Sequence, residues 1–155
     1  MKKTLHRYYL KALLLHEATQ VPYLILESQD QKDRITMQMN YSAAGTLVRK
    51  LSAHSSEESE GAQSALVSFL RRHRYRPQSV TITRLGSAGP AASLRYRGLL
   101  RGYSCDLQPC LAVTLAREFA IPLYLTTEAI ITGTVFNPLA YIDPQRTAEF
   151  LYISA

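Results

Sequence analysis

The chain has 155 residues, of which 46% are hydrophobic and 19% charged, with a formal net charge of +6. That balance excludes a disordered or collagen-like chain and allows one core that needs no disulfide support. The longest apolar runs, such as "LKALLL" and "AIPLYL", are far shorter than the roughly 20 residues of a spanning helix, so no transmembrane segment is expected.

The first residues, "MKKTLHRYYLKALLL", place two lysines before an apolar stretch, in the manner of a signal peptide. Arg7 and Lys11 interrupt that stretch and no small-residue cleavage site follows, so the expectation is a cytoplasmic protein. Residues 7–15 are β-prone and predict a strand. "HEATQ" is a turn, and 21–28 predict a second strand with Pro22 at its first positions. After polar "SQDQKDR", residues 35–39 predict a third, completing a meander. Residues 42–53 predict a helix with Ser42 as N-cap. The following loop carries Glu57, Glu58 and Glu60, read as solvated charge rather than a metal site.

A second helix is predicted from Ala62, with Ala62, Leu66, Phe69 and Leu70 on one side and Arg71, Arg72 and His73 in its last turn, where cations suit the helix dipole. "SVTITRL" predicts a strand and "GSAGPAAS" a loop. Residues 94–107 predict one long strand of period two. Leu94, Tyr96 and Leu100 alternate with Arg95, Arg97 and Arg101, so one face packs and the other presents three arginines in a row. A third helix is predicted over 109–120, started by Pro109, with Leu111, Leu115 and Phe119 on a stripe beside the small Ala112 and Ala116. "IPLYL" predicts the last strand, followed by a short segment and a loop. Asp143 and Pro144 predict a short terminal helix through Phe150, Leu151 and Tyr152. The expected fold is α+β, with a mixed or mostly antiparallel sheet of about six to seven strands and three main helices. The expected organisation is one domain over 1–132 and an extension over 133–155 packing on it or on a partner.

Charge is unevenly distributed. Between Gly61 and Cys105 there is no Asp or Glu, and eight arginines stand there: Arg71, Arg72, Arg74, Arg76, Arg84, Arg95, Arg97 and Arg101. Such a stretch favours anionic partners: an acidic protein surface, nucleic acid or anionic lipid. The candidate binding residues are Arg95, Arg97 and Arg101 with Arg71, Arg72 and Arg74. Cys105 and Cys110 lack zinc or redox spacing and read as free, buried thiols. His6, His16, His54 and His73 are scattered, and no phosphate loop or nucleophile elbow is present.

Residues 106–125 carry the most specific pattern: Asp106, Pro109, Ala112, Leu115-Ala116, then Pro122-Leu123-Tyr124-Leu125. Spacing and element order from Tyr8 to Ile131 resemble the bifunctional nuclease domain family, in which Asp-x-Arg-Pro-Ser-Asp-Ala precedes a Leu-Ala helix and a strand. The resemblance implies that fold and, in members that keep their acids, Mg- or Mn-dependent phosphodiester hydrolysis. Here the second Asp of that motif is Leu111. The family's Gly-x-x-Glu-Ala segment is Asn40-Tyr41-Ser42-Ala43-Ala44, and its Thr-His-Asp segment is Ala62-Gln63-Ser64. Metal-assisted hydrolysis needs converging carboxylates, and Asp106 alone is kept, as a weak catalytic candidate. The expectation is a catalytically degenerate, basic accessory subunit that binds an acidic surface of a larger protein assembly, with no cofactor and no metal ligands. The alternative is a metal-dependent nuclease or nucleic-acid binder using Mg or Mn. The resemblance is compatible with a homo-oligomer.

Overall fold

Three β-rich segments follow one another at the N-terminus: β1 (Leu5–His16), β2 (Pro22–Ser28) and β3 (Arg34–Gln38). They pair antiparallel in sequence order, as the meander predicts. The computed structural model describes residues 3–16, 21–38, 62–85, 91–135 and 150–154. The predicted helix over 42–53 and the glutamates Glu57, Glu58 and Glu60 lie outside those residues. Short polar side chains close the β2–β3 turn. The Ser28 hydroxyl donates to Asp30 Oδ1 at 2.6 Å and accepts from the Asp33 N–H at 3.0 Å. The Ser28 bond, more than any other contact, holds the Asp30 carboxyl below its usual range.

The remaining elements are α1 (Ala62–Arg72), β4 (Arg76–Ile82), β5 (Ala92–Arg97), β6 (Gly102–Leu107), α2 (Pro109–Phe119), β7 (Leu123–Thr126), α3 (Thr127–Val135) and β8 (Phe150–Ser154). The strands form one mixed sheet in the order β3-β2-β1-β7-β4-β5-β6. β4 and β7 run parallel, and the other described pairings are antiparallel. β1 is long enough to share one edge between two partners: Leu5–Tyr8 pair with β7 and Ala12–His16 with β8. The fold is therefore α+β, as expected, with an eighth strand beyond the expected number.

That strand is a correction. Residues 150–154 do not continue a helix from the Asp143-Pro144 start. "FLYIS" is rich in aromatic and β-branched residues, and the free edge of β1 supplies its ladder. A second correction concerns 94–107, which fold into two strands. The chain reverses between Gly98 and Arg101, where the Gly98 N–H donates to the Arg101 carbonyl at 2.9 Å. A Cβ at Gly98 would sit 3.0 Å from Tyr75 Cε1 and 3.2 Å from Tyr103 Cε2, so a side chain there would push these rings back by a few tenths of an ångström. The alternation runs through this turn without a structural meaning, and Leu100 is exposed rather than packed. β4 also begins three residues before its predicted start, taking in Pro77 at a bulge between Pro77 and Ser79. The segment after β7, predicted only as short, is α3. Thr126 caps it, accepting the Ala129 N–H at 3.2 Å while its hydroxyl donates to the Thr83 carbonyl at 3.0 Å.

Val80, Ile82, Leu94 and Leu107 face one side of the sheet and are buried there against α2, which inserts Ala112, Val113, Leu115 and Ala116. α1 lays Leu70 and Val67 into the same core. Phe69, expected on its buried stripe, is instead 45% exposed and meets the rings of His73 and Tyr75 at a tilt. Both helices end in the same device. Arg74 (φ 56) and Ala120 (φ 50) adopt the left-handed conformation, and the Tyr75 and Ile121 N–H groups donate to the Leu70 and Ala116 carbonyls.

Candidate functional site

The arginines sort by the strands that carry them. In the β4–β5 ladder Arg76 stands directly opposite Arg97, and Arg95 opposite Ser79. In the β5–β6 ladder Arg97 stands opposite Gly102, Arg95 opposite Ser104, and Ser93 opposite Asp106. Residues directly opposite share a face. Arg76, Arg95, Arg97, Ser104 and Asp106 therefore all lie on the side of the sheet away from α2, and all five are exposed. No described residue forms an ion pair with Arg76, Arg95 or Arg97. Like charges directly opposite in a ladder are destabilising, so the Arg76–Arg97 pair is a cost the isolated domain carries.

Arg101 is not the third member of this row. The chain reversal puts it in the β5–β6 turn, exposed beside Leu99 and Leu100, which are 97% and 91% exposed. Arg71 also leaves the group. Its guanidinium lies 3.3 Å from Glu118 Oε1 and over the Phe119 ring at 5.8 Å, clamping α1 to α2. Arg72 and Arg74 are exposed at the joint between α1 and β4.

On the opposite, α2 side of the same strands is an aromatic cluster that the sequence pattern did not isolate. Tyr96 and Tyr103 stack at 5.5 Å, and Tyr75 meets both edge-on at 5.2 and 5.6 Å. Tyr103, on the outermost strand, is 40% exposed. These rings come together because β5 and β6 pair and the α1 terminus turns Tyr75 onto them, a juxtaposition with no local sequence signal.

Asp106 is exposed on the arginine face, while α2, which carries the remainder of its sequence motif, packs on the opposite face. Among the described residues no three His, Cys, Asp or Glu side chains converge on a metal-sized site. Cys105 and Cys110 are free and half-buried. Desolvation pushes the Cys110 thiol up to about 11, and its Sγ points to the Gln38 carbonyl at 3.8 Å. A thiol held protonated at neutral pH is not a nucleophile. Burial, and then the charge of Asp106, raise Cys105 as well.

A groove of about 410 Å³ opens between β1 and the C-terminal end of α2, lined by Arg7, Tyr9, Leu10, Val113, Arg117 and Ile121. Arg7 lies over the Tyr9 ring at 5.1 Å. Arg7 and Arg117 are far apart in sequence, and no motif joins them. No described helix is long and apolar enough to cross a membrane. No protein-family model matches the chain, and no curated protein matches it.

Proposed function

We propose that the chain is a non-catalytic binding domain on a bifunctional-nuclease-like scaffold, acting as a basic accessory subunit that docks an acidic protein surface. The observation that carries this reading is the cross-strand pair of Arg76 and Arg97, with Arg95 beside it, held on strands with no counter-charge among the described residues. A like-charge pair that weakens the isolated fold is relieved when carboxylates of a partner arrive between the guanidiniums, which bind them bidentately. Asp106, which belongs to no cluster of three metal-ligating side chains among the described residues, supports the non-catalytic part of the reading.

The test is a gentle tagged purification from the native host, reading co-eluting proteins by mass spectrometry and the 260/280 nm absorbance ratio. A stoichiometric protein partner that is lost in Arg76→Glu/Arg95→Glu supports the proposal, and unchanged association in that variant overturns it. The second reading is a metal-dependent nuclease or nucleic-acid binder, favoured by the exposed arginines sharing one face of β4 and β5, which suit a phosphate backbone. It predicts a high absorbance ratio removed by nuclease, binding that falls steeply with salt, and Mg- or Mn-dependent cleavage lost in Asp106→Ala.

A further inference from the structure

We propose that β6 is the seam of a symmetric dimer of this chain, in which the two copies add their sheets edge to edge about Ser104. The inference goes beyond the reading above, using the sheet edge rather than the open face of β4 and β5, and the two share Arg97.

β6 ends the sheet, and among the described residues nothing pairs with its outer side. It also lacks the usual edge protection: Gly102–Leu107 contains no proline, no lysine and no bulge. The hydrogen-bond phase of this edge follows from the hairpin. Because the Gly98 N–H bonds the Arg101 carbonyl, residues 101, 103, 105 and 107 direct their backbone groups toward β5. Gly102, Ser104 and Asp106 direct theirs outward.

An antiparallel second copy must match outward groups to outward groups, which excludes every register shifted by one residue. The register that uses the whole strand pairs Ser104 with the partner's Ser104 and Gly102 with the partner's Asp106. Each of these pairs exchanges both backbone bonds. The side chains then complement one another. Arg97 lies behind Gly102 in the ladder, so the missing side chain at Gly102 leaves a clear path from the Arg97 guanidinium to the partner's Asp106. The two strand spacings involved, about 10 Å, are within reach of the two side chains together. The symmetry repeats the pair, giving each Asp106 an arginine.

Continuing the register past the strand sets Leu100 opposite the partner's Gln108 and Leu99 opposite the partner's Pro109. The bare leucine tip thus reaches the start of the partner's α2, where Pro109, Cys110 and Leu111 are half-buried. An unprotected edge, two exposed leucines and a carboxylate with no ion pair among the described residues are accounted for by one arrangement.

Sedimentation velocity on the purified full chain over a concentration series tests it. The wild type is expected to form a concentration-dependent dimer. Ser104→Pro removes an N–H that the monomer's ladder does not use, and is expected to remain folded by circular dichroism and monomeric. Arg97→Glu and Asp106→Arg are each expected to weaken the dimer by about tenfold or more, and the Arg97→Glu/Asp106→Arg double variant to recover most of that loss. Gly102→Val gives a further check, because a Cβ there meets nothing closer than the Tyr96 carbonyl at 4.0 Å. It is expected to leave the monomer intact and close the path to Asp106. A wild type that is monomeric throughout overturns the proposal. So does a dimer that survives both Gly102→Val and the single charge reversals.

Discussion

The two flanks of the sheet treat the same arrangement of charge in opposite ways. On β2–β3, Arg34 stands directly opposite Glu27, and its Nε donates to Glu27 Oε2 at 2.7 Å. Glu27 is 7% exposed, a carboxylate that is stable there because its partner is next to it. On β4–β5 the equivalent cross-strand position opposite Arg97 is Arg76, and the next strand outward offers Gly102. Among the described residues, one flank sets an arginine opposite a carboxylate and the other sets an arginine opposite an arginine. Counting salt bridges would miss this difference. Ladder register exposes it, because it says which charges must share a row.

The largest effect expected within the isolated chain is at the completed flank. Glu27→Ala removes the acceptor of a charge-assisted bond and should cost about 1.5–3 kcal/mol by urea denaturation. If the cost is no more than that of an average surface change, the flank is not held by this pair. Gly98→Ala comes next. The added methyl must displace the Tyr75 and Tyr103 rings, and a loss of about 1–3 kcal/mol is expected, as for other overpacked sites. At the open flank the sign reverses. Arg76→Glu converts a repelling pair into an attracting one and should raise the stability of the free domain by about 0.2–1 kcal/mol, even as it weakens partner capture. A destabilised Arg76→Glu would show that the arginines are structural.

Two smaller effects sharpen the comparison. Ala120→Gly relieves a left-handed non-glycine residue, and should gain several tenths of a kcal/mol, up to about 1 kcal/mol. The same change at Arg74 should gain similarly, since its φ is nearly the same. The smallest expected effect is on pH. The Asp30 carboxyl is held below its usual range, chiefly by Ser28. Its contribution is present above the unfolded carboxyl pKa and is lost as pH falls through the lower folded value. Asp30→Asn should flatten the acid side of the stability profile slightly, and an unchanged profile would exclude a role for this turn.

Much of this architecture was legible in the sequence where local signals and burial agree. The β1–β2–β3 meander followed from β-prone runs between polar turns, and α2 from Pro109 and its apolar stripe. The failures share one cause, which is tertiary pairing overriding a local pattern. Residues 150–154 became a strand because β1 had a free edge. Leu94 to Leu107 became a hairpin because the chain reverses between Gly98 and Arg101, which period-two alternation cannot register. The arginine patch was half legible. Arg95 and Arg97 were identified from their spacing, but Arg76 joined them only through pairing. Arg101 and Arg71 left the patch for the tip and the helix clamp. The tyrosine cluster and the Arg7–Arg117 groove had no local signal at all.

The divided edge of β1 has a consequence for how the chain is made. β1 is synthesised first, yet the strands that complete it, β7 and β8, are synthesised last. Throughout translation its partner-seeking edge must wait, with only β2 and β3 available on the other side. The sheet cannot close locally as it emerges from the ribosome, and folding of this kind, dominated by pairings between distant segments, is slow. The nascent chain therefore spends its longest interval with an apolar strand exposed, the condition under which aggregation competes with folding and chaperones are recruited.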